Sequence, residues 1–383
     1  MIAGEPFDHL ACFSHGDEDL PRDADRVTID MPAVFSFVRE PQLATRSIRR
    51  IAAAALAGAA EIEIELGGLE HVDTCAASTM LAVLEEAGNR GSKITLRLPH
   101  TERLLPSLAA AGASRMVAAE DRTKLPKPSL FPLHRGRRAP EWDKKKAQKA
   151  AGIDGERIYD RLAAWLEEHG RGTPSAEFSK SFGHGFGEAM TNAATHSDSD
   201  WWISEHVENG TGGAPILHVT VFNFGQSIAS TIQAAPRGFP TLEDYELLIA
   251  EHERRDGFDT SWTKADLLTL LAIQDGSTAF EDERGVGTLR GLELFEYILA
   301  QAPEGNPRMC WISGTTRVLL DGRYTLQESR LERRRTAKRR DIAFNAAKDL
   351  RDRPDPSAVT NLGCEFPGTL LTLQFAVCDC FLQ

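Results

Sequence analysis

The chain has 383 residues, of which 44 are basic and 56 acidic, so its formal charge is −12. Such a length holds two or three domains at roughly 100–200 residues each and can bury a substantial core without disulfide staples. With 42% apolar and 26% charged residues the composition is that of an ordinary globular protein, and the net charge repels a nucleic-acid backbone unless a local basic patch offsets it.

In chain order, residues 1–24 read as a loose polar arm. DRVTIDMP then supplies a strand and TRSIRRIAAAALAGAA a helix. EIEIEL places Ile62, Ile64 and Leu66 on one face of a strand, TCAASTMLAVLEEAGNRG changes to helical spacing, KITLRL is a further strand, and TERLLPSLAAAGASRMV a further helix. Crossovers this short predict a small α/β domain over residues 25–118 with a mostly parallel sheet. Residues 119–151 carry prolines and, from Arg122 to Lys149, ten Lys or Arg, which predicts a basic linker. A second, larger domain is expected over residues 152–383, opening on the helical pattern RIYDRLAAWLEEHG.

Six cysteines, none in a CxxC pair, predict reduced thiols in the cytosol, with Cys378 and Cys380 too close for an ordinary bridge to each other. The longest small and apolar run, residues 51–60, falls short of the ~20 residues that cross a bilayer. The start MIAGEPFDH has no basic and then apolar leader. A cytoplasmic protein without membrane contact is expected.

The chemistry concentrates in the second domain. FSKSFGHGFGEAMTNAATHS is helical in pattern, and Glu188, Asn192 and His196 follow at intervals of four, projecting from one side opposite Phe182, Phe186, Ala189 and Ala193. ILHVTVFNFG is a strand ending at Asn223 and Gly225, the kind of place where ligands meet a sheet. RGVGTLRGLELFEYILA puts Gly285, Gly287 and Gly291 directly before an apolar helix, where backbone N–H groups and the helix dipole favour a phosphate. PGTLLTLQFAV is a strand opened by Gly368 and Thr369.

In this order the four segments resemble the N, G1, G2 and G3 boxes of the GHKL (Bergerat-fold) ATPases, and GEAMTNAATHS looks most like the anti-sigma-factor serine kinase branch. The resemblance covers residues 152–383. It implies an α/β sandwich that binds ATP and Mg2+, with Glu188 as general base and Asn192 as the magnesium ligand. A carboxylate can take a proton and a neutral amide oxygen suits a hard cation that keeps its waters. Asn223 and Gly225 would receive adenine, Gly285, Gly287, Thr288 and Gly291 the phosphates, and Thr369 would support the base, with His196 in a supporting or capping role. The first adenine box usually begins with aspartate; Asn223 is neutral there, which implies weaker or less strict nucleotide binding. Residues 226–284 would be a large helical lid whose closure on ATP is the output.

ELGGLEHVDTCAASTMLAVLEEAGNRGSKITLRLPHTERLLPSLAAAGASRMV resembles a STAS domain, the anti-sigma-factor antagonist fold. The family's D-S/T-S-G acceptor motif reads Asp73, Thr74, Cys75, Ala76 here, which leaves Thr74 as the one adjacent hydroxyl; a helix cap is the plainer role for Asp73 and Thr74. Three functions compete. An ATP-dependent regulatory switch would act on a partner protein of STAS or sigma-regulatory type, with homodimerisation in keeping with the family. A serine/threonine kinase would act on a separate STAS protein. A nucleic-acid-associated ATPase, in genome maintenance or phage defence, would use basic runs 122–149 and 330–340, the latter with seven Lys or Arg in eleven residues. His9, Cys12 and His15 do not complete a tetrahedral metal set.

Overall fold

The computed structural model describes residues 8–13, 25–128, 130–139, 142–196, 199–209, 214–234, 240–274, 289–302, 305–329 and 340–382. The N-terminal unit comprises β1 (Arg26–Asp30), β2 (Val34–Phe35), α1 (Pro41–Leu56), β3 (Glu61–Glu65), β4 (His71–Val72), α2 (Thr74–Asn89), β5 (Lys93–Arg97) and α3 (Leu105–Ala110). Strands β1, β3 and β5 form a parallel sheet in that order, as the short βαβ crossovers require. Ile62 and Ile64 are buried beneath α1 and α2. Across the same strands Glu63 bridges Arg26 and Arg97 at 2.5 and 2.7 Å, a charge ladder on the sheet.

The larger unit follows with β6 (His134–Gly136), α4 (Lys144–Glu168), α5 (Ala176–His196), β7 (Trp201–Asn209), β8 (Pro215–Asn223), α6 (Ile228–Gln233), α7 (Pro240–Arg255), α8 (Lys264–Ala272), α9 (Leu289–Gln301), β9 (Arg308–Leu320), β10 (Gln327–Glu328), β11 (Arg340–Asp341) and β12 (Val359–Ala376). The order β6-β7-β8-β12-β9 makes one antiparallel sheet. Residues alternate along these strands between two cores. Leu217, Val219, Val221, Leu371 and Leu373 join α4, α5 and α9, whereas Trp202, Phe222, Phe224, Ile312 and Leu370 join α1 and α2. The α/β class expected from the sequence is present, and the two sheets share the α1/α2 layer between them.

Polar contacts fix that layer. Ser78 and Ser204 hydroxyls meet at 2.9 Å, Arg317 donates to the Val38 carbonyl at 3.0 Å, and Arg49 donates to the Glu365 carbonyl at 2.9 Å. On the same face of the sheet, burial and the neighbouring His218 hold the His206 imidazole down to about 4.

Several expectations need correction. Residues 8–13 are not a loose arm: His9, Leu10 and Phe13 are buried, and the Phe13 ring lies 5.2 Å from that of Phe224. Burying one such side chain contributes about 1.5–3 kcal/mol, enough to order a single helical turn against a sheet. The basic stretch 119–151 is not a plain linker, because it supplies edge strand β6 and the start of α4. Gly136 lies flush on the Trp201 indole, where a Cβ would come within 2.0 Å. Arg135 is consumed internally, paired with Glu86 and with Asp200 and stacked 5.2 Å over Trp202. In the other basic run Arg340 pairs with Glu293 at 2.8 Å, and residues 330–339 lie outside the described residues. Cys378 and Cys380 stand at a single-turn helix, Asp379–Phe381, with their Cα atoms 5.3 Å apart. Cys12, Cys75 and Cys310 are free thiols. No described helix is long and apolar enough to cross a membrane.

Candidate functional site

Helix α5 owes its position to an aromatic stripe at helical spacing. Phe178, Phe182, Phe186 and Met190 are buried, with ring centroids 5.5 and 5.0 Å apart along the phenylalanines. Glu188 and Asn192, two residues out of phase with that stripe, are half-buried. His196 is the last residue of the helix. Ala193 is buried with the stripe as expected, and Ala189 packs at its margin.

The glycines of FGHGFGEAM serve packing. A Cβ on Gly185 would sit 2.8 Å from Leu294 and 3.1 Å from the Arg290 carbonyl, so α9 lies directly on α5. On the other side the Cα of Gly187 approaches Gly155 of α4. The helix carrying Glu188 and Asn192 is therefore clamped between two neighbours, with the first turns of α9 beside it.

The end of β8 and the middle of β12 and β9 present one row of polar residues. Asn223, 4% exposed, ends β8 and lies in register with Thr369 of β12, which is in register with Ser313 of β9. The Thr369 N–H donates to Asn223 Oδ1 at 3.2 Å. The Ser313 hydroxyl donates to the Gly368 carbonyl at 3.0 Å, lies 2.9 Å from Thr369 Oγ1 and accepts the Ile228 N–H at 2.8 Å. Because Val221, Leu371 and Trp311 on these strands belong to the core under α5 and α9, alternation puts Asn223, Thr369 and Ser313 on that face. Gly368, at φ 92° with the Asn223 carbonyl 2.3 Å from its would-be Cβ, is a position only glycine can fill. The sequence reading missed Ser313; its register opposite Thr369 is visible only once β9 and β12 are paired.

Asn223 has one oxygen lone pair committed to Thr369 and keeps a second, together with its NH2 group. It can therefore accept from an exocyclic amine and donate to a ring nitrogen at once. Gly225 follows it, half-buried, in the turn before α6.

Other positions fare differently. Gly285, Gly287 and Thr288 lie outside the described residues. Gly291 is buried in the first turn of α9, and a Cβ there would meet the Trp311 ring at 3.1 Å. Its absent side chain seats the helix on the sheet, a packing role where a phosphate contact was expected. Thr74 is 2% exposed and its hydroxyl has no hydrogen-bond partner among the described residues. Asp73 caps α2 by accepting the Ala76 N–H at 2.8 Å and the Ser36 hydroxyl at 2.5 Å. Burial raises the Cys75 thiol well above its usual value. A kinase has no access to Thr74 in this arrangement.

The stretch read as a lid is largely core. Leu267, Leu268, Leu270 and Leu271 of α8 are buried. Asp266, fully buried, accepts from Thr316 Oγ1 at 2.7 Å, from Asn361 Nδ2 at 2.8 Å and from the Thr263 N–H at 2.7 Å. Moving α8 would break the hydrogen bonds that tie Asp266 to Thr316 and Asn361, at about 1 kcal/mol or more each. The remainder of the expected lid, from residue 275, lies outside the described residues.

Comparison with protein-family models, with curated proteins and with solved structures finds no match to this chain.

Proposed function

We propose that the larger unit binds Mg-ATP in the manner of the GHKL ATPases and that the nucleotide state governs engagement of a partner protein. The observation that carries this is the Asn223–Thr369–Ser313 row, which runs from the end of β8 across the middle of β12 and β9, on the sheet face covered by the helix bearing Glu188 and Asn192. The element order supports it as well: helix α5, strands β7 and β8, helix α9 directly after the glycine-containing sequence RGVGT, then β9 and β12. In this reading Asn223 pairs with the adenine edge, Thr369 and Ser313 hold Asn223 in place, and Gly225 lets the base approach. Asn192 ligates the magnesium between the phosphates, Gly285, Gly287 and Thr288 line the phosphate turn, and Glu188 takes the proton of the attacking water.

A switch is favoured over phosphorylation of the chain's own STAS-like unit because Thr74 is sealed while α1 and α2 rest on the second face of the nucleotide-binding sheet. Any change at this polar row is felt by that unit through shared core residues such as Phe222 and Phe224. Its partner would be a protein of STAS or sigma-regulatory type.

Isothermal titration with a non-hydrolysable ATP analogue and magnesium tests the base contact. Asn223→Ala should weaken binding about 10-fold or more, the cost of losing paired hydrogen bonds to the base, and Asn223→Asp should match or exceed wild type. Unchanged affinity in Asn223→Ala would place the base elsewhere.

A further inference from the structure

A cavity of about 430 Å³ opens between α4 and the segment from Phe131 to His134, lined by Phe131, His134, Arg157, Asp160 and Arg161. Strand β6 creates it. Its three residues pair only with Trp201, Trp202 and Ile203, so the edge of β7 beyond Ile203 is left without a full neighbour. There the Glu205 N–H donates to the Phe131 carbonyl at 2.8 Å. The volume is in the range of small-molecule sites.

The charges around it are unevenly satisfied. Arg157 is held by Asp154 at 3.1 Å, and Asp154 also accepts from the Trp201 indole at 3.1 Å and faces His134 at 3.5 Å. Arg161 and Asp160 have no hydrogen bond or ion pair among the described residues, and both line the cavity. The rim therefore offers one unspent cation beside one unspent anion. The Phe131 ring, packed edge-on against His134 at 5.5 Å, adds a flat apolar wall.

Behind this wall lies Glu205, 0% exposed, with neither carboxyl oxygen hydrogen-bonded among the described residues. Arg161 is the one cation among the described residues whose field reaches it, and burial drives the group toward its neutral acid form. Buried polar atoms left without partners are rare in folded proteins and call for an explanation. A ligand reaching the β7 edge would bring such a partner.

We propose that this cavity binds a small zwitterion of the α-amino-acid class with a flat apolar side chain: its carboxylate meets Arg161, its ammonium Asp160, and its apolar group lies on Phe131. A purely anionic ligand would be repelled by Asp160 and a purely cationic one by Arg161. The site is separate from the proposed nucleotide pocket and does not depend on it.

Calorimetric titration of the full chain with L-phenylalanine, 3-phenylpropionate and phenethylamine, which share the ring and differ in charge, tests the proposal. Phenylalanine should bind with a Kd on the order of 1 mM or tighter, about 10-fold better than either singly charged analogue. Arg161→Gln should weaken phenylalanine about 10-fold, and Asp160→Asn should abolish its advantage over 3-phenylpropionate. Both side chains are exposed, so an unaltered unfolding midpoint in each variant shows that the fold is intact. No binding of phenylalanine by wild type up to about 10 mM would overturn the proposal. So would equal affinity for 3-phenylpropionate, or undiminished phenylalanine binding by Arg161→Gln.

Discussion

Glu188→Ala is expected to hold Mg-ATP as wild type does and to cleave it about 100-fold more slowly or worse, the usual contribution of a positioned general base. The substitution is mild structurally. Glu188 is half-buried on the face of α5 away from the aromatic stripe, alanine is the best helix former, and Phe182, Phe186 and the close contact of Gly187 with Gly155 hold the helix in place. Loss of turnover would therefore report chemistry and not a displaced helix. Asn192→Ala, one turn on, should fail differently, losing the magnesium dependence of binding. Single-turnover phosphate release together with equilibrium binding separates the two outcomes. Equal turnover in wild type and Glu188→Ala would remove the proposed base. If label leaves ATP for a separate STAS protein with the same dependence on Glu188, the attacking group is a protein hydroxyl and the kinase reading replaces the switch.

The second large effect concerns stability against pH, and it comes from two neighbours on β7 that face opposite cores. Glu205 is fully buried and held well above its usual carboxylate value by burial, with Arg161 opposing. From pH 4.5 upward the unfolded chain releases a proton that the native state keeps, so stability falls as pH rises until the native group ionises. His206 runs the other way. Burial, the neighbouring His218 and, opposing both, Glu208 leave its native value at about 4 against 6.5 unfolded, so stability falls as pH drops through that window. Between pH 4.5 and 6.5 the two slopes oppose each other. Each is at most about 1.4 kcal/mol per pH unit. Urea unfolding across this range should give a shallow profile for wild type. Glu205→Gln should become more stable as pH rises and His206→Asn less stable. A profile in Glu205→Gln no steeper than that of wild type would mean that Glu205 is ionised in the native state.

Much of the candidate site was legible because its parts are local. The i, i+4 spacing of Phe182 and Phe186, the alternation in EIEIEL and the glycines before LELFEYILA each signal an element within a few residues. The errors came from contacts between distant segments. Leu10 and Phe13 sit in a polar stretch, and nothing near them shows that Phe224 awaits them across the fold. HRG is too short to announce a strand until Trp201 and Trp202 are there to pair with it. The apolar face of α8 read as a lid surface, yet it is core because Thr316 and Asn361 from β9 and β12 meet Asp266. Polar residues of the sheet are also part of the layer between the two units: Ser204 is hydrogen-bonded to Ser78 and Thr220 to Thr372.

The claim on which the rest turns is that Mg-ATP sits between α5 and the row formed by Asn223, Thr369 and Ser313. Hydrogen exchange of the full chain, with and without a non-hydrolysable ATP analogue and magnesium, tests it most directly. The expected result is new protection at residues 188–192, 223–228 and 368–370, abolished when magnesium is withheld or Asn192 is replaced by alanine. Exchange at these segments unchanged by saturating analogue, or protection confined to other parts of the chain, would contradict the account.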